Sequence, residues 1–448
     1  MSMTRFITNK AAIAVCIAVL TVTAGCFKDD SASRDSASLL AAVTNEQESG
    51  RPGGSSEEET SPVPRLASSD AGVALPQYKK NWTVLVYLDG DNNLSKFSEH
   101  DVAEMMKTGS GPNINVVLLW DNDPSQGGGR SRHGYYYVTN EGAVLIKDIG
   151  EVNMGDPRTA TDFIDFAVQN FPADKYFWIW WNHGAAVDRA VMKGVAWDDS
   201  SGDHLSETEQ REVMRHFKSL IRKKVDIVGF DACLMATAEI AVQYADLASY
   251  LVASEQTEPA SGWDYSFLSV IRDKPTSSAR SLSYAVLKYY KAFYRSEQDV
   301  TLSVMYLAHA PRLSAAIHDF AASAMASGAP GSAFRLPAKG LPMFGEYFDG
   351  DRTRYFTKDL RAYLEAVAAA SDVPEAVKEK ARCCIAVISD KKLIPYEWHG
   401  SGWNGAASGI SITLKRATRV YRELEICRAT QWDEFLNWAE FPANDYKY

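Results

Sequence analysis

Two side chains in this sequence can carry nucleophilic chemistry, and each closes a strand-like run. Cys233 follows residues 225–230, a short, mostly apolar and β-branched run. Such a run is too short for a helix of its own and reads as a buried strand. His183 follows residues 175–181 (KYFWIWW), an aromatic and β-branched run of the same kind, and lies fifty residues upstream of Cys233. A thiolate is a good nucleophile once a neighbouring imidazole manages its proton. Residues 236–244 then read as a helix, which sets Asp231-Ala232-Cys233 at a strand-to-loop corner. In open α/β sheets the carboxyl ends of the strands are where ligands bind. A thiol without a partner is more often a buried core residue; the strand-end position and the matching His183 reverse that reading.

Several stretches together resemble the clostripain family of cysteine peptidases. They are Trp181-Asn182-His183-Gly184, residues 229–235 (GFDACLM) with Glu239, residues 82–88 (WTVLVYL) with residues 91–94 (DNNL), and Ser254-Glu255 with residues 262–265 (GWDY). The resemblance covers roughly residues 80–310. It implies the fold and the His/Cys dyad that the family shares with caspases, gingipains and legumains. It implies acyl transfer: Cys233 attacks the scissile carbonyl, and His183 serves as general acid and then general base. It places the oxyanion hole at the backbone N–H groups of Gly184 and Cys233. Family members that cut after Arg or Lys line the first pocket with acidic side chains. Asp231 is carried over to that wall, and Asp264 is the candidate for the second carboxylate, with Glu255 and Glu258 behind it. Some members mature by self-cleavage, for which Lys193 is the candidate site. Two other classes stay open: an inactive member that binds peptides or envelope partners, and a transpeptidase or ligase on the same fold.

The elements that must position these residues alternate. Strand-like runs at residues 82–88, 113–121, 175–181, 225–230, 250–255 and 301–307 are interleaved with helical patterns at 94–106, 159–170, 281–295 and 312–327, and residues 206–209 (SETE) open another helix. Residues 135–138 and 143–146 suggest a hairpin. This alternation predicts an α/β protein with a doubly wound, mainly parallel sheet flanked by helices. The peptidase domain is expected over residues 79–328. Residues 329–350, rich in Gly and Pro, read as a linker or covering loop, and residues 329–448 as a C-terminal α/β extension packing on the core.

Asp198, Asp199 and Asp203 form an acidic cluster, a weak calcium candidate that more often is solvated or caps a helix. No cofactor is expected to be required, and calcium is possible. His133, His204, His309 and His399 have no partner at motif spacing. No H-E-x-x-H or G-x-S-x-G motif supports a metalloprotease or an α/β-hydrolase. Cys383, Cys384 and Cys427 lack zinc spacing, and a disulfide from Cys427 to either of the other two is possible in an oxidising compartment.

The N-terminus reads as an address. Arg5 and Lys10 precede an apolar stretch at residues 11–22 that is too short to span a bilayer. Thr23-Ala24-Gly25-Cys26 resembles a bacterial lipobox, so residues 1–26 are expected to be a lipoprotein signal with Cys26 as the lipidated residue. Lipid on Cys26 implies membrane anchoring. Phe27, by the sorting pattern of such lipoproteins, implies the outer membrane. Residues 27–78, rich in Ser, Ala, Glu, Gly and Pro, are expected to be a disordered tether. The formal net charge of −10 argues against a nucleic-acid partner. The expected partner is a peptide or protein substrate.

Overall fold

The computed structural model describes residues 78–123, 125, 129–184, 194–345 and 357–442. Cys26, the tether and Lys193 lie outside the described residues. The chain opens with β1 (Lys80–Asp89), α1 (Ser95–Thr108), β2 (Ile114–Asn122) and the hairpin β3 (Arg132–Val138) and β4 (Ala143–Asp148). Then come α2 (Pro157–Asn170), β5 (Ala173–Trp181), a short ribbon of β6 (Val195–Asp198) and β7 (Asp203–Leu205), α3 (Glu207–Ile221) and β8 (Val225–Asp231). The second half supplies α4 (Ala238–Gln243), β9 (Ala248–Ala253), α5 (Ala279–Phe293), β10 (Thr301–Tyr306) and α6 (Ala310–Ala326). It ends with β11 (Thr357–Asp359), α7 (Leu360–Ala369), α8 (Glu375–Ser389), β12 (Tyr396–His399), β13 (Ser411–Thr413) and α9 (Trp432–Trp438).

Nine strands form one sheet in the order β12-β10-β9-β8-β5-β1-β2-β3-β4. The five central strands, β9 to β2, are parallel, and the pairs beyond them on both sides are antiparallel. After β1 the chain moves to β2 on one side and later returns to β5 on the other. The strand order therefore reverses between β1 and β5, and a crevice opens at their carboxyl ends.

Alternation along each strand feeds two cores. Leu85, Tyr87, Trp178 and Trp180 face one helical layer, and Val84, Val86, Phe177 and Ile179 face the other. Each fully buried aliphatic side chain of this kind contributes about 1.5–3 kcal/mol relative to exposure. Helix α3 starts where Ser206 and Glu209 close a capping box, which satisfies its free amides.

The stretch beyond residue 328 shares this core. Strand β12 adds to the sheet beside β10, and α6 to α9 build one layer with side chains such as Phe320, Tyr363, Cys384 and Phe435. The expected linker holds two helical turns, Ser332–Arg335 and Leu336–Gly340, with Phe334 buried between them and the core. Cys383, Cys384 and Cys427 are free thiols. Cys427 directs its sulfur at the Tyr421 carbonyl, 3.2 Å away, so the disulfide considered from the sequence is not formed. Among the described residues no helix is long and apolar enough to cross a membrane.

Candidate active site

Strand register brings the two reactive side chains together. Strands β5 and β8 are parallel neighbours, and Trp181 pairs with Asp231. His183 and Cys233 each stand two residues past that pair and line one cleft of about 180 Å3 at the carboxyl edge. Asn182 stitches the corner. Its amide nitrogen donates to the Asp89 carbonyl at 2.7 Å, and its amide oxygen accepts from the Trp197 N–H at 3.0 Å. The chain thus leaves β5 in a fixed direction, and His183 Nε2 meets Asn93 Oδ1 at 2.6 Å.

The turn after β8 is equally constrained. Leu234 adopts a left-handed conformation with φ of 65°, and its N–H donates to the Gln256 carbonyl at 3.1 Å. The Glu258 N–H donates to Cys233 Sγ at 3.3 Å. Burial pushes the thiol up to about 12, against the opposing effect of that N–H and of the Gly184 N–H. Burial thus favours the neutral thiol over the thiolate at this half-buried sulfur. Gly184 must be glycine because a Cβ there would collide with the Cys233 carbonyl and stand 2.8 Å from its nitrogen. This contact brings the two backbones expected to form the oxyanion hole side by side.

Asp231 and Glu258 supply the acidic part of the cleft. Asp231 Oδ2 accepts from the Tyr265 hydroxyl at 2.8 Å and from the Trp263 N–H at 3.3 Å. Burial pushes Asp231 up to about 6 despite these donors. Glu258 is raised further, first by burial and then by the charge of Asp231. The pair thus holds one negative charge near neutrality, with Glu258 the protonated partner. Trp263 reaches Asp231 because its ring packs on Gly229, where a Cβ would stand 2.6 Å from it.

Asp264 does not line this cleft. Its carboxylate accepts from the Ser266 N–H at 2.9 Å and caps the helical turn Tyr265–Leu268. Glu258, named behind it from the sequence, takes the place beside Asp231. Glu255 points elsewhere: it accepts from the Gly409 N–H at 2.8 Å and sits against Asp359.

The acidic residues after the His183 loop separate as well. Asp198 is buried and groups with Asp91, Asp121 and Glu151. Asp199 and Asp203 do not join that group; Asp203 Oδ2 accepts from Asn153 at 2.8 Å. His133 does have a partner, Asp121, at 2.6 Å, set by the cross-strand pair Asp121–His133. Antiparallel pairing, not motif spacing, joins these two. Asn93 was visible as part of the DNNL stretch, but its contact to His183 depends on β1 and β5 being neighbours.

Comparisons with known proteins bear on the lineage and the fold. The clostripain family, peptidase family C11, matches residues 86–441, which includes most of the C-terminal stretch. Clostripain of Hathewaya histolytica is 33% identical over 189 residues, a match that spans 36% of this chain and 35% of clostripain. This chain thus covers about a third of that relative's length. An inactive zymogen C11 protease from Parabacteroides distasonis superposes with a TM-score of 0.61 at 18% identity, covering 80% of this chain and 99% of that one. A secreted C11 cysteine protease from Bacteroides thetaiotaomicron, bound to an irreversible peptide inhibitor, gives 0.59 at 19% identity, covering 79% and 100%. At these identities the two structures speak for the fold, and the family match speaks for the lineage. The chain belongs to the clostripain family of cysteine peptidases.

Proposed function

We propose that this protein is a cell-envelope cysteine endopeptidase that cuts after Arg or Lys. The observation that carries the reading is the shared cleft, in which His183 and Cys233 stand at one register position beside the buried Asp231–Glu258 pair. A guanidinium or ammonium entering that cleft meets a carboxylate already held by two donors, and a charge-assisted contact forms without reorganisation. Glu258, the protonated partner, keeps the second negative charge out of the cleft and leaves Asp231 as the ionised acceptor.

Catalysis follows from the resting protonation states. The carboxamide oxygen of Asn93 can only accept, so Nε2 of His183 carries the hydrogen of their contact. Nδ1 is then the atom that exchanges protons with the reacting groups. As Cys233 Sγ bonds to the scissile carbonyl carbon, its proton passes to His183. The oxyanion is received by the N–H groups of Gly184 and Cys233, each worth on the order of 10²–10³ in rate. His183 then protonates the leaving amine, the C–N bond breaks and a thioester remains. Water attacks it with His183 as base, and the acid product leaves with the thiol restored.

The finer parts of the reading rest on sequence. Cys26 is the lipid attachment point, residues 27–78 are the tether, and the outer membrane is the destination. Lys193, between His183 and β6, is the self-cleavage site. The test is turnover of fluorogenic peptides with Arg, Lys, Asn, Asp or Leu before the scissile bond, beside Cys233→Ala. Turnover confined to Arg and Lys and lost in the variant is expected. Turnover confined to other residues sinks the acidic-pocket assignment, and turnover by Cys233→Ala sinks the dyad.

A further inference from the structure

The two ends of the central strands carry opposite charge. Asp89, Asp121 and Asp231 stand at the carboxyl ends, whereas cations gather at the amino ends. Arg215, Lys218, Arg222 and Lys223, from the last turns of α3 and the loop into β8, line an open hollow of about 330 Å3. Asp246 is the acid beside them, and it is already taken: it meets Arg211 at 2.9 Å and Lys218 at 3.4 Å. The exposed Arg222 guanidinium has no hydrogen bond or ion pair among the described residues. Arg222 sits at the left-handed C-cap of α3, with φ of 55°, a position that glycine fills at the lowest cost. The negative end of the helix dipole accounts for one cation here, not for a row of them. Further along the edge Lys79 pairs with Asp174 at 2.7 Å, and Lys223 donates to the Asp174 carbonyl at 2.5 Å. The cations therefore continue from β8 across β5 to the start of β1. Two large apolar side chains are exposed on the same edge: Leu220, 41% exposed in the last turn of α3, and Tyr78, 56% exposed before β1.

We propose that this amino edge docks on a layer of anionic phospholipid headgroups and holds the peptidase with its cleft turned away from the membrane. The proposal rests on the lipid attachment at Cys26, proposed above, as the reason a membrane is near. The chain that leads from Cys26 enters the described fold at Tyr78 and Lys79, on this same edge. Charge complementarity selects the partner. Headgroup phosphates accept from Lys and Arg, and each cation brought to an anionic surface raises the partition onto it by about fivefold. An exposed aromatic such as Tyr78 suits the headgroup level of a membrane. A hollow that is open to solvent fits a layer of headgroups better than one small anion. The formal net charge of −10 does not prevent docking. Salt screens exposed charges beyond roughly 8 Å at physiological ionic strength. The acidic edge lies across the seven residues of β8, about 20 Å away. His183 and Cys233, just past the far ends of β5 and β8, then face soluble substrates.

The test is co-sedimentation of the chain from Phe27 onward with vesicles of phosphatidylcholine alone or of phosphatidylcholine mixed with phosphatidylglycerol. This chain lacks the residue proposed for lipidation, so the surface is read independently of the anchor. Binding to the mixed vesicles, little binding to the neutral ones and release by sodium chloride are expected. Arg215→Gln together with Arg222→Gln should weaken binding by about 25-fold, at about fivefold per cation, with the melting temperature unchanged. Lys288→Gln together with Lys291→Gln, exposed cations of α5 in the opposite helical layer, should leave it unaltered. Equal binding to both kinds of vesicle, or to neither, overturns the surface. So does an equal loss in the two paired variants, and so does capture of a short oligonucleotide where vesicles are not bound. Release by inorganic phosphate but not by sodium chloride of the same ionic strength marks a small-anion site and also overturns it. Failure of the lipoprotein reading shows separately, as an unmodified Cys26 in the mass of the full-length protein, and leaves the vesicle result standing.

Discussion

Two carboxylate clusters sit at one sheet edge, on either side of His183, and they are built differently. In the cleft, Asp231 receives a hydroxyl and an amide hydrogen, and the neighbouring Glu258 takes up the proton that two adjacent carboxylates cannot both lose. In the cluster of Asp91, Asp121, Glu151 and Asp198, burial and the charges of Glu151 and Asp198 push Asp121 up to about 9, and Asp91 is pushed up to about 7. Neutral donors hold the carboxylate of the first cluster in place. The second has more carboxylates than donors, and Asp89 Oδ2, Asp91 Oδ2 and Asp121 Oδ2 have no hydrogen-bond partner among the described residues. Similar residue types thus meet different surroundings at one sheet edge, and the number of donors around them is the difference.

The largest effect that tests this contrast is expected from Asp231→Asn. It keeps the shape of the cleft and removes its charge, so kcat/KM on Arg and Lys substrates should fall by about 2–5 kcal/mol, roughly 30- to 5,000-fold. Equal losses on Arg and Leu substrates would mean that Asp231 is structural. The same charge sets a pH dependence. Burial pushes Asp231 up to about 6, so above that pH it is ionised and, on the proposed specificity, available to the cationic side chain. As pH falls through about 6 it becomes neutral, and KM for Arg substrates should rise; a KM independent of pH over this window would contradict the assignment.

Asn93→Ala comes next. It leaves both clusters intact and frees the imidazole, so kcat should fall by on the order of 10²-fold, the lower end of what a positioned acid–base group supplies, with KM little changed. Partial recovery in Asn93→Asp, which restores an acceptor, would separate positioning from misfolding. The smallest effect is expected from Asp264→Ala. It removes a cap at a cost of about 1 kcal/mol in stability and leaves the Arg-over-Leu preference unaltered. A changed preference would return Asp264 to the pocket.

The placement of Cys233 and His183 at strand ends was legible because its signals are local. A β-branched run ending in a turn marks Cys233 and His183 without any knowledge of the fold. The alternation of strands and helices was enough to predict the parallel centre of the sheet. The pocket was harder, because Glu255, Glu258 and Asp264 lie within ten residues of each other. Which one faces Asp231 depends on the path of one loop, which the packing of Trp263 on Gly229 directs. The Asp121–His133 contact was invisible because strand register, not spacing along the chain, creates it. Strand β12 was missed for a related reason. Its four residues are only partly buried and become a strand by pairing with β10, not through an apolar pattern of their own.

The most direct measurement of the central claim is the intact mass of the protein after exposure to two thiol-directed peptide ketones that differ only in carrying Arg or Leu at the first position. The account predicts one adduct per chain with the Arg probe, mapped to Cys233, absent in Cys233→Ala and much slower with the Leu probe. An Arg-probe adduct on Cys383 or Cys427 with Cys233 unmodified, or equal labelling by both probes, would contradict it.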